Sequence, residues 1–350
     1  MHSKKKTKMK TSILNSLAVG LLAVSPQLMA DDFAWNTMLN LTSDYGNRFA
    51  GSDEERKAAS WLKGEFEQLG YKVNTHEFEF NLRKKPLTSL NLEAFKQGKI
   101  NKTIIIGAHY DSIGHNAGST GFTDNASGIA TLLAVAKAFQ NITPHYSVKF
   151  IAFGAEEVGL NGSKAYVKTI NPADIHGMIN LDTVAGGDHL YIHSAHSKPY
   201  HCGGENSKYS HDTWLRDALL NKSKNIKLAR GYDLHPKTPE YPEGETGAWS
   251  DHSPFSCLGI PIAYVEATNF SIDGESGKDG YSQTSHPDYW TCFDNSNMAS
   301  CDRKKEKHWG KIWHTQFDQA TQLIPRLESH IKLQVQSNVT LLTRFLSEPK

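Results

Sequence analysis

His109, Asp111, Asp124, Glu156, Glu157 and Asp182 are the residues of this 350-residue chain whose types and spacing could do chemistry. Three apolar runs deliver most of them. Ile104-Ile105-Ile106-Gly107-Ala108 leads into His109-Tyr110-Asp111, Val148-Lys149-Phe150-Ile151-Ala152-Phe153 leads into Glu156-Glu157, and Met178-Ile179-Asn180-Leu181 leads into Asp182. Asp124 sits in Thr123-Asp124-Asn125-Ala126-Ser127-Gly128, which opens an apolar helical stretch. Singly, each has an ordinary use: a helix cap, a surface acidic pair, a turn former. Jointly they do not. Carboxylates crowded into one crevice repel one another unless cations neutralise them, and mixed imidazole and carboxylate ligation suits zinc or a similar divalent ion. Two adjacent ions sharing one bridging carboxylate would account for their number. Asp111, two residues beyond His109, is placed to accept the second ring N–H of that histidine and fix its tautomer.

These side chains converge only if the apolar runs are neighbouring strands, because ligands of open α/β sheets bind beyond the carboxyl ends of the strands. The runs are short, rich in Ile or Val and separated by helical segments such as Ala126 to Phe139, which indicates an α/β sheet covered on both faces. Upstream, Ala58, Trp61, Leu62, Phe66 and Leu69 recur at helical spacing, with Gly70 as the stop. Phe78, Phe80 and Leu82 then alternate with polar residues as a half-buried strand ending at the basic loop Arg83-Lys84-Lys85-Pro86, with a bulge or break expected near Thr75-His76. A further buried strand covers Ile260 to Val265, the Pro/Gly-rich segment from His235 to Gly247 reads as a long surface loop, and a closing helix is predicted from about Trp309 to Phe345.

Composition narrows the class. With 38% hydrophobic and 21% charged residues, the chain has a globular profile. Lys4, Lys5, Lys6, Lys8 and Lys10 precede an apolar run from Ile13 to Val24, and Leu28-Met29-Ala30 offers a cleavage point, so residues 1–30 read as a signal peptide and 31–350 as the mature chain. Its removal takes away five lysines and no acid, moving the formal charge from +1 to −4, which argues against a nucleic-acid partner. The run is too short to span a bilayer, so no membrane association is expected after cleavage, and the location is periplasmic or secreted. Cys202, Cys257, Cys292 and Cys301 all fall in the exported part, where disulfides persist. Of the three possible pairings, the short loop favours Cys292 with Cys301, leaving Cys202 with Cys257.

In order and spacing, Ala108-His109-Tyr110-Asp111-Ser112, the segment Thr123 to Gly128, Glu156-Glu157-Val158-Gly159-Leu160-Asn161-Gly162-Ser163 and Asn180-Leu181-Asp182 resemble the co-catalytic zinc aminopeptidases. Val265-Glu266-Ala267-Thr268-Asn269 and Lys278-Asp279-Gly280-Tyr281 look most like exported bacterial members that trim protein N-termini. The resemblance implies one catalytic domain on a central mixed, mostly parallel β-sheet sandwiched by helices. It implies two zinc ions per chain, bridged by Asp124, with His109 and Asp182 completing one site, Glu157 contributing to the other, and Glu156 as general base. It also implies a cis Asp124-Asn125 peptide, and peptide or protein N-termini as substrate.

The last ligand departs from the family pattern of an aromatic residue, the ligand histidine and an aspartate four or five residues on. Ser285 precedes His286, and Asp294-Asn295 comes eight residues later. His286 is the expected ligand, with His252 in Ser250-Asp251-His252-Ser253-Pro254-Phe255 as the other choice. Tyr281, Tyr289 and Trp290 are candidates for polarising the substrate carbonyl. Glu266 could bind the substrate's α-amino group or a basic first side chain, or serve structurally. His193, His196, His201 and His211 read as ordinary surface or core histidines. The rival readings on the same scaffold are a single-zinc glutaminyl-peptide cyclotransferase, a carboxypeptidase relative and a binding protein without catalysis.

Overall fold

The computed structural model describes residues 26–114, 117–203, 208–238 and 240–348. Helices α1 (Pro26–Asp44) and α2 (Asp53–Gln68) precede a hairpin of β1 (Val73–Leu82) and β2 (Lys85–Lys96). Then come β3 (Ile100–His109), α3 (Ala126–Ala138), β4 (Tyr146–Phe153), α4 (Asn161–Tyr166), β5 (Ile175–Leu181) and β6 (His189–Ala195). α5 (Trp214–Asn225), the two-residue strands β7 (Tyr232–Asp233) and β8 (Glu245–Thr246), α6 (His252–Cys257) and β9 (Ile262–Thr268) follow. A small pair, β10 (Phe293–Asp294) and β11 (Ala299–Ser300), precedes the long α7 (Ala320–Ser347). The bulk of the predicted signal segment, residues 1–25, lies outside the described residues, and α1 runs through the predicted cleavage point after Ala30.

Nine strands make one mixed sheet in the order β1-β2-β4-β3-β5-β9-β6-β7, with β8 beside β6. Its centre, β4-β3-β5-β9, is parallel, while β1 with β2, β2 with β4, and β6 with β9 are antiparallel. Side chains alternate across a strand, so the central runs must be apolar at every position to be buried on both faces. Ile104, Ile106, Val148, Phe150, Ile179 and Val265 pack with Met38, Leu133 and Ile331 from α1, α3 and α7. Ile105, Ile151, Phe153, Met178 and Ile262 pack on the opposite face with Tyr166 and Phe255 from α4 and α6.

The structure departs from the periodicity reading along β1, at the turn after it and at the start of the closing helix. The β1 ladder runs without a break from Val73 opposite Ala94 to Leu82 opposite Lys85, so the bulge expected near Thr75-His76 is absent. β1 is an edge strand that is mostly exposed, and its side-chain phase is therefore not held by a core. The basic loop is shorter than expected: Arg83 and Lys84, with φ of 50° and 66°, make the whole turn, and Lys85 and Pro86 already belong to β2. The closing helix begins at Ala320 rather than Trp309. Side chains capture the amides that would have opened it, since Glu306 accepts from His308 and Trp309 and Gln283 Oε1 accepts from Ile312 and Trp313. The disulfides Cys202–Cys257 and Cys292–Cys301 have the pairing expected from spacing.

Arg48 ties the segment after β3 to the segment before α3 from behind. Fully buried, it donates from Nε to Tyr110 O at 2.6 Å, from Nη1 to Thr120 O at 2.9 Å and from Nη2 to Gly121 O at 3.3 Å. Burial lowers its pKa to about 10 against the pull of Asp111, Asp318, Asp124 and Glu157. The Arg48→Met substitution strands these carbonyls and removes a buried cation beside buried anions. It should cost on the order of 3–5 kcal/mol by urea denaturation; a loss below about 1 kcal/mol would contradict this bracing role.

Candidate metal centre

Three parallel strands end at the same crevice. His109 is the last residue of β3, Asp182 is the first after β5, and Glu156 and Glu157 lie in the turn that follows β4. The fourth contributor, Asp124, comes from the segment leading into α3 and stands between two imidazoles. Its Oδ1 is 3.2 Å from His109 Nε2 and its Oδ2 is 3.1 Å from His314 Nε2. Each imidazole meets a second carboxylate: His109 Nε2 is 3.3 Å from Asp182 Oδ1, and His314 Nε2 is 2.9 Å from Glu157 Oε2. Asp124 is thus the shared centre of two half-sites.

Main-chain and side-chain hydrogen bonds hold these groups. Asp318 Oδ1 accepts from Thr123 N at 2.6 Å and Thr123 Oγ1 at 2.7 Å, while Oδ2 accepts from Asp124 N at 3.3 Å. Asn125, not Asp124, caps α3: its side-chain oxygen accepts from Gly128 N and Thr183 N, and its amide donates to Leu181 O. The Asp124-Asn125 peptide is cis. Gly121, at φ +65°, leaves no room for a Cβ, which would meet Asp124 O and Arg48 Nη2 at 2.6 Å. Asp111 accepts Glu156 N at 3.0 Å and Glu157 N at 3.1 Å, so its carboxylate fixes the acidic turn. His109 Nδ1 lies 3.3 Å from the main-chain oxygen of Asp111 and 3.5 Å from its Oδ1. Ser250 Oγ donates to Asp182 Oδ2 at 2.6 Å.

The electrostatics describe a site with too much negative charge for its own cations. Burial raises Glu156 well above the carboxylate range, against the pull of His109 and with the push of Asp182, Asp251 and Glu157. Burial and Asp124 lift Glu157 to about 7 although His314 pulls it down. Burial opposes the charged forms of the two histidines and of Asp124. Even so, Glu156 and Asp182 raise His109, bonds to Asp124 and Glu157 raise His314 to about 11, and the two imidazoles hold Asp124 below its usual range. Glu157 Oε1 is buried with no hydrogen-bond partner. His109, Asp124 and Glu157 can each present a ligand atom within 4.8 Å of the others. Imidazole nitrogens facing shared carboxylates, with a buried oxygen still unsatisfied, are a donor set that fits divalent cations.

His286 is not brought to this cluster, and His314 takes the place expected of it. The His286 ring lies 5.6 Å from that of Tyr289, and its Nδ1 accepts from Asp288 N in its own turn. His252 is also elsewhere, with Nε2 at 2.7 Å from Gly247 O and its ring stacked on Tyr264. The signal for His314 was present: Trp313 precedes it and Asp318 follows four residues on, the pattern that the segment around His286 lacks. The helical spacing of Trp309, Ile312, Trp313 and Phe317 hides that pattern inside the predicted closing helix. Among the proposed carbonyl-polarising aromatics, Tyr289 and Trp290 are buried, with Trp290 Nε1 donating to Thr284 O. Tyr281 does line the cavity and stacks on Trp313 at 5.4 Å. That cavity, about 290 Å³, runs from the carboxylates to Tyr264, Glu266 and Phe270.

Comparison with known proteins gives a consistent result. The model of peptidase family M28 matches residues 91–338. The alkaline phosphatase isozyme conversion protein of Escherichia coli K12 is 26% identical over 302 residues, 77% of this chain and 81% of that protein. Aminopeptidase YwaD of Bacillus subtilis 168 is 34% identical over 186 residues, 50% of this chain and 35% of that protein. Among solved structures, an aminopeptidase from Aneurinibacillus sp. strain AM-1 superposes with a TM-score of 0.60 at 18% identity, covering 91% of this chain and 94% of that one. A glutaminyl cyclase of Porphyromonas gingivalis gives 0.62 at 18% identity, over 91% and 98%. The two structural likenesses establish the fold, and the family match over most of the chain establishes the rest: this chain belongs to peptidase family M28, a family of zinc-dependent hydrolases.

Proposed function

We propose that the chain is an exported aminopeptidase that removes the N-terminal residue of peptides or proteins with two zinc ions. The observation that carries this reading is Asp124 placed between His109 and His314, one imidazole at each carboxylate oxygen. His109, Asp182 and Asp124 would hold one ion, and His314, Glu157 and Asp124 the other. Bound zinc supplies Lewis acidity, lowering the pKa of water toward neutrality and polarising the carbonyl to be attacked.

The protein's own groups do the rest. Glu156, buried and coordinated to neither ion in this assignment, takes the proton from the attacking water and returns it to the departing amine as the carbon–nitrogen bond breaks. Asp111 positions it by accepting the Glu156 and Glu157 amides. The small cavity beside the carboxylates suits one terminal side chain better than a continuous run of peptide. Export is supported by the sequence of residues 1–30 and by two disulfides, which persist in oxidising compartments. No helix among the described residues is long and apolar enough to cross a membrane.

The Glu156→Gln variant should lose roughly 10²–10⁴-fold in kcat on aminoacyl fluorogenic substrates and keep its metal by elemental analysis. Retained turnover removes the general-base role. His314→Ala should lose zinc while His286→Ala keeps the full complement, and the reverse outcome restores the ligand expected from sequence. In the same assay, release of pyroglutamate from N-terminal glutamine, with one zinc and no hydrolysis of other residues, would identify a cyclotransferase instead.

A further inference from the structure

The β1–β2 hairpin carries a cluster of charge that the proposed chemistry leaves unused. Arg83, Lys84 and Lys85 are exposed at its tip, and none of them makes an ion pair among the described residues. The nearest acid on the hairpin is Glu79, three pairs nearer the base, opposite Thr88. Arg83 and Lys84 form the whole turn with φ of 50° and 66°, a left-handed conformation for which Asn-Gly is the usual choice. Cations therefore occupy positions that local structure alone would give to other residues. The tip also lies on the side of the sheet where the ligands are. β2 runs antiparallel to β4 with Leu92 opposite Ala152, so its residues from Leu90 back to Lys85 continue past the end of β4, from which Glu156 and Glu157 follow. The base of that extension is bonded to the site. Leu90 O accepts from Tyr110 Oη at 2.9 Å, next to His109, and Glu55 Oε1 accepts from Ser89 Oγ at 2.6 Å and from Ala155 N at 3.1 Å, next to Glu156. Leu82 and Leu87 share a small apolar cluster with Ala155 and Val158, which flank the glutamate pair. Counted along β2 from Ser89, the tip stands roughly 15 Å beyond the level of the acidic turn.

We propose that this tip binds acidic side chains of the substrate a few residues beyond the bond that is cut. The inference rests on the aminopeptidase reading and adds an interaction surface for the part of the substrate that the small cavity does not hold. An extended peptide rises about 3.3 Å per residue, so roughly four to six residues after the scissile bond carry it to the tip. Carboxylates there would meet three cations held on a braced hairpin, which concentrates the attraction at one distance from the metal centre. An anionic lipid surface is the competing occupant for such charge, and the tip is poorly built for it. Arg83, Lys84, Lys85 and Pro86 offer no large apolar side chain to insert, and the exposed Phe95 lies at the opposite end of β2, paired with Lys149 near the start of β4.

The test uses the zinc-loaded full-length chain and a triple variant, Arg83→Asn, Lys84→Gly and Lys85→Gln, whose first two substitutions supply the favoured turn pair so that the hairpin keeps its shape. Ten-residue peptides beginning with Ala, Leu or Arg carry a pair of Glu, Gln or Lys at the sixth and seventh positions, and release of the first residue gives kcat/KM. Two exposed ion pairs are together worth about fivefold at low salt, so the wild type should favour the Glu peptides over the Gln peptides by about that factor, mainly through KM, and disfavour the Lys peptides. The preference should fade toward unity as salt is raised and fall below about twofold in the variant. A Glu preference that survives in the variant, or none in the wild type, overturns the assignment while leaving the aminopeptidase intact. So does binding to phosphatidylglycerol vesicles that needs the three cations while the peptides are not discriminated, which gives the tip to a lipid surface. Absence of hydrolysis from every peptide overturns the function beneath it.

Discussion

Asp124 shared between His109 and His314 is the contact on which the rest of the structure depends. A carboxylate with one imidazole at each oxygen can organise two half-sites only if its position is fixed on all sides, and the fixing groups come from distant parts of the chain. Asp318 grips the amides of Thr123 and Asp124 from just before α7. Arg48 holds the carbonyls of Thr120 and Gly121 from just after α1. Asn125 ties the start of α3 to Leu181 and Thr183, and so to Asp182. These bonds replace the adjustability of a loop with a rigid frame, which suits a site where small displacements of ligands weaken ion binding.

The frame costs stability wherever it gathers like charge. Glu156, Glu157 and Asp251 are all pushed upward by burial and by neighbouring carboxylates. A protein without cations would relieve this by protonation or by spreading the groups apart. The surroundings prevent the second course, because the sheet below is packed on both faces and Asp111 holds the acidic turn by its amides. The strain of concentrated charge is therefore directed at whatever cation enters, and ion binding and folding become linked quantities.

Legibility in the sequence followed the kind of force that places each residue. The central strands were readable because burial on both faces demands uninterrupted apolar runs, and the ligands at their ends were readable by position. Disulfide pairing followed from chain spacing. β2 was not read, since Lys85 to Lys96 mixes polar and apolar residues on a strand lying between an edge and the core. His314 was missed for a different reason. Its segment carries Trp309, Ile312, Trp313 and Phe317, a spacing that imitates a helix, but Glu306 and Gln283 divert the amides into a turn-rich path in which Trp309 and His314 have φ of 57°. A long-range side-chain capture of backbone amides has no local periodic signature.

The acidic residues show why residue type alone could not allot roles. Asp124, Asp318, Asp111, Asp182 and Glu266 are all acids at or behind one crevice, and what separates them is the direction from which each is satisfied. Asp318 and Asp111 spend their oxygens on backbone amides, so they build the site and have little capacity left for an ion. Asp124 and Asp182 face imidazole at the proposed metal centre. Glu266 faces the phenol of Tyr264 and the imidazole of His193. Acids of one chemical type thus build the frame where backbone amides meet them and the proposed metal centre where imidazoles do.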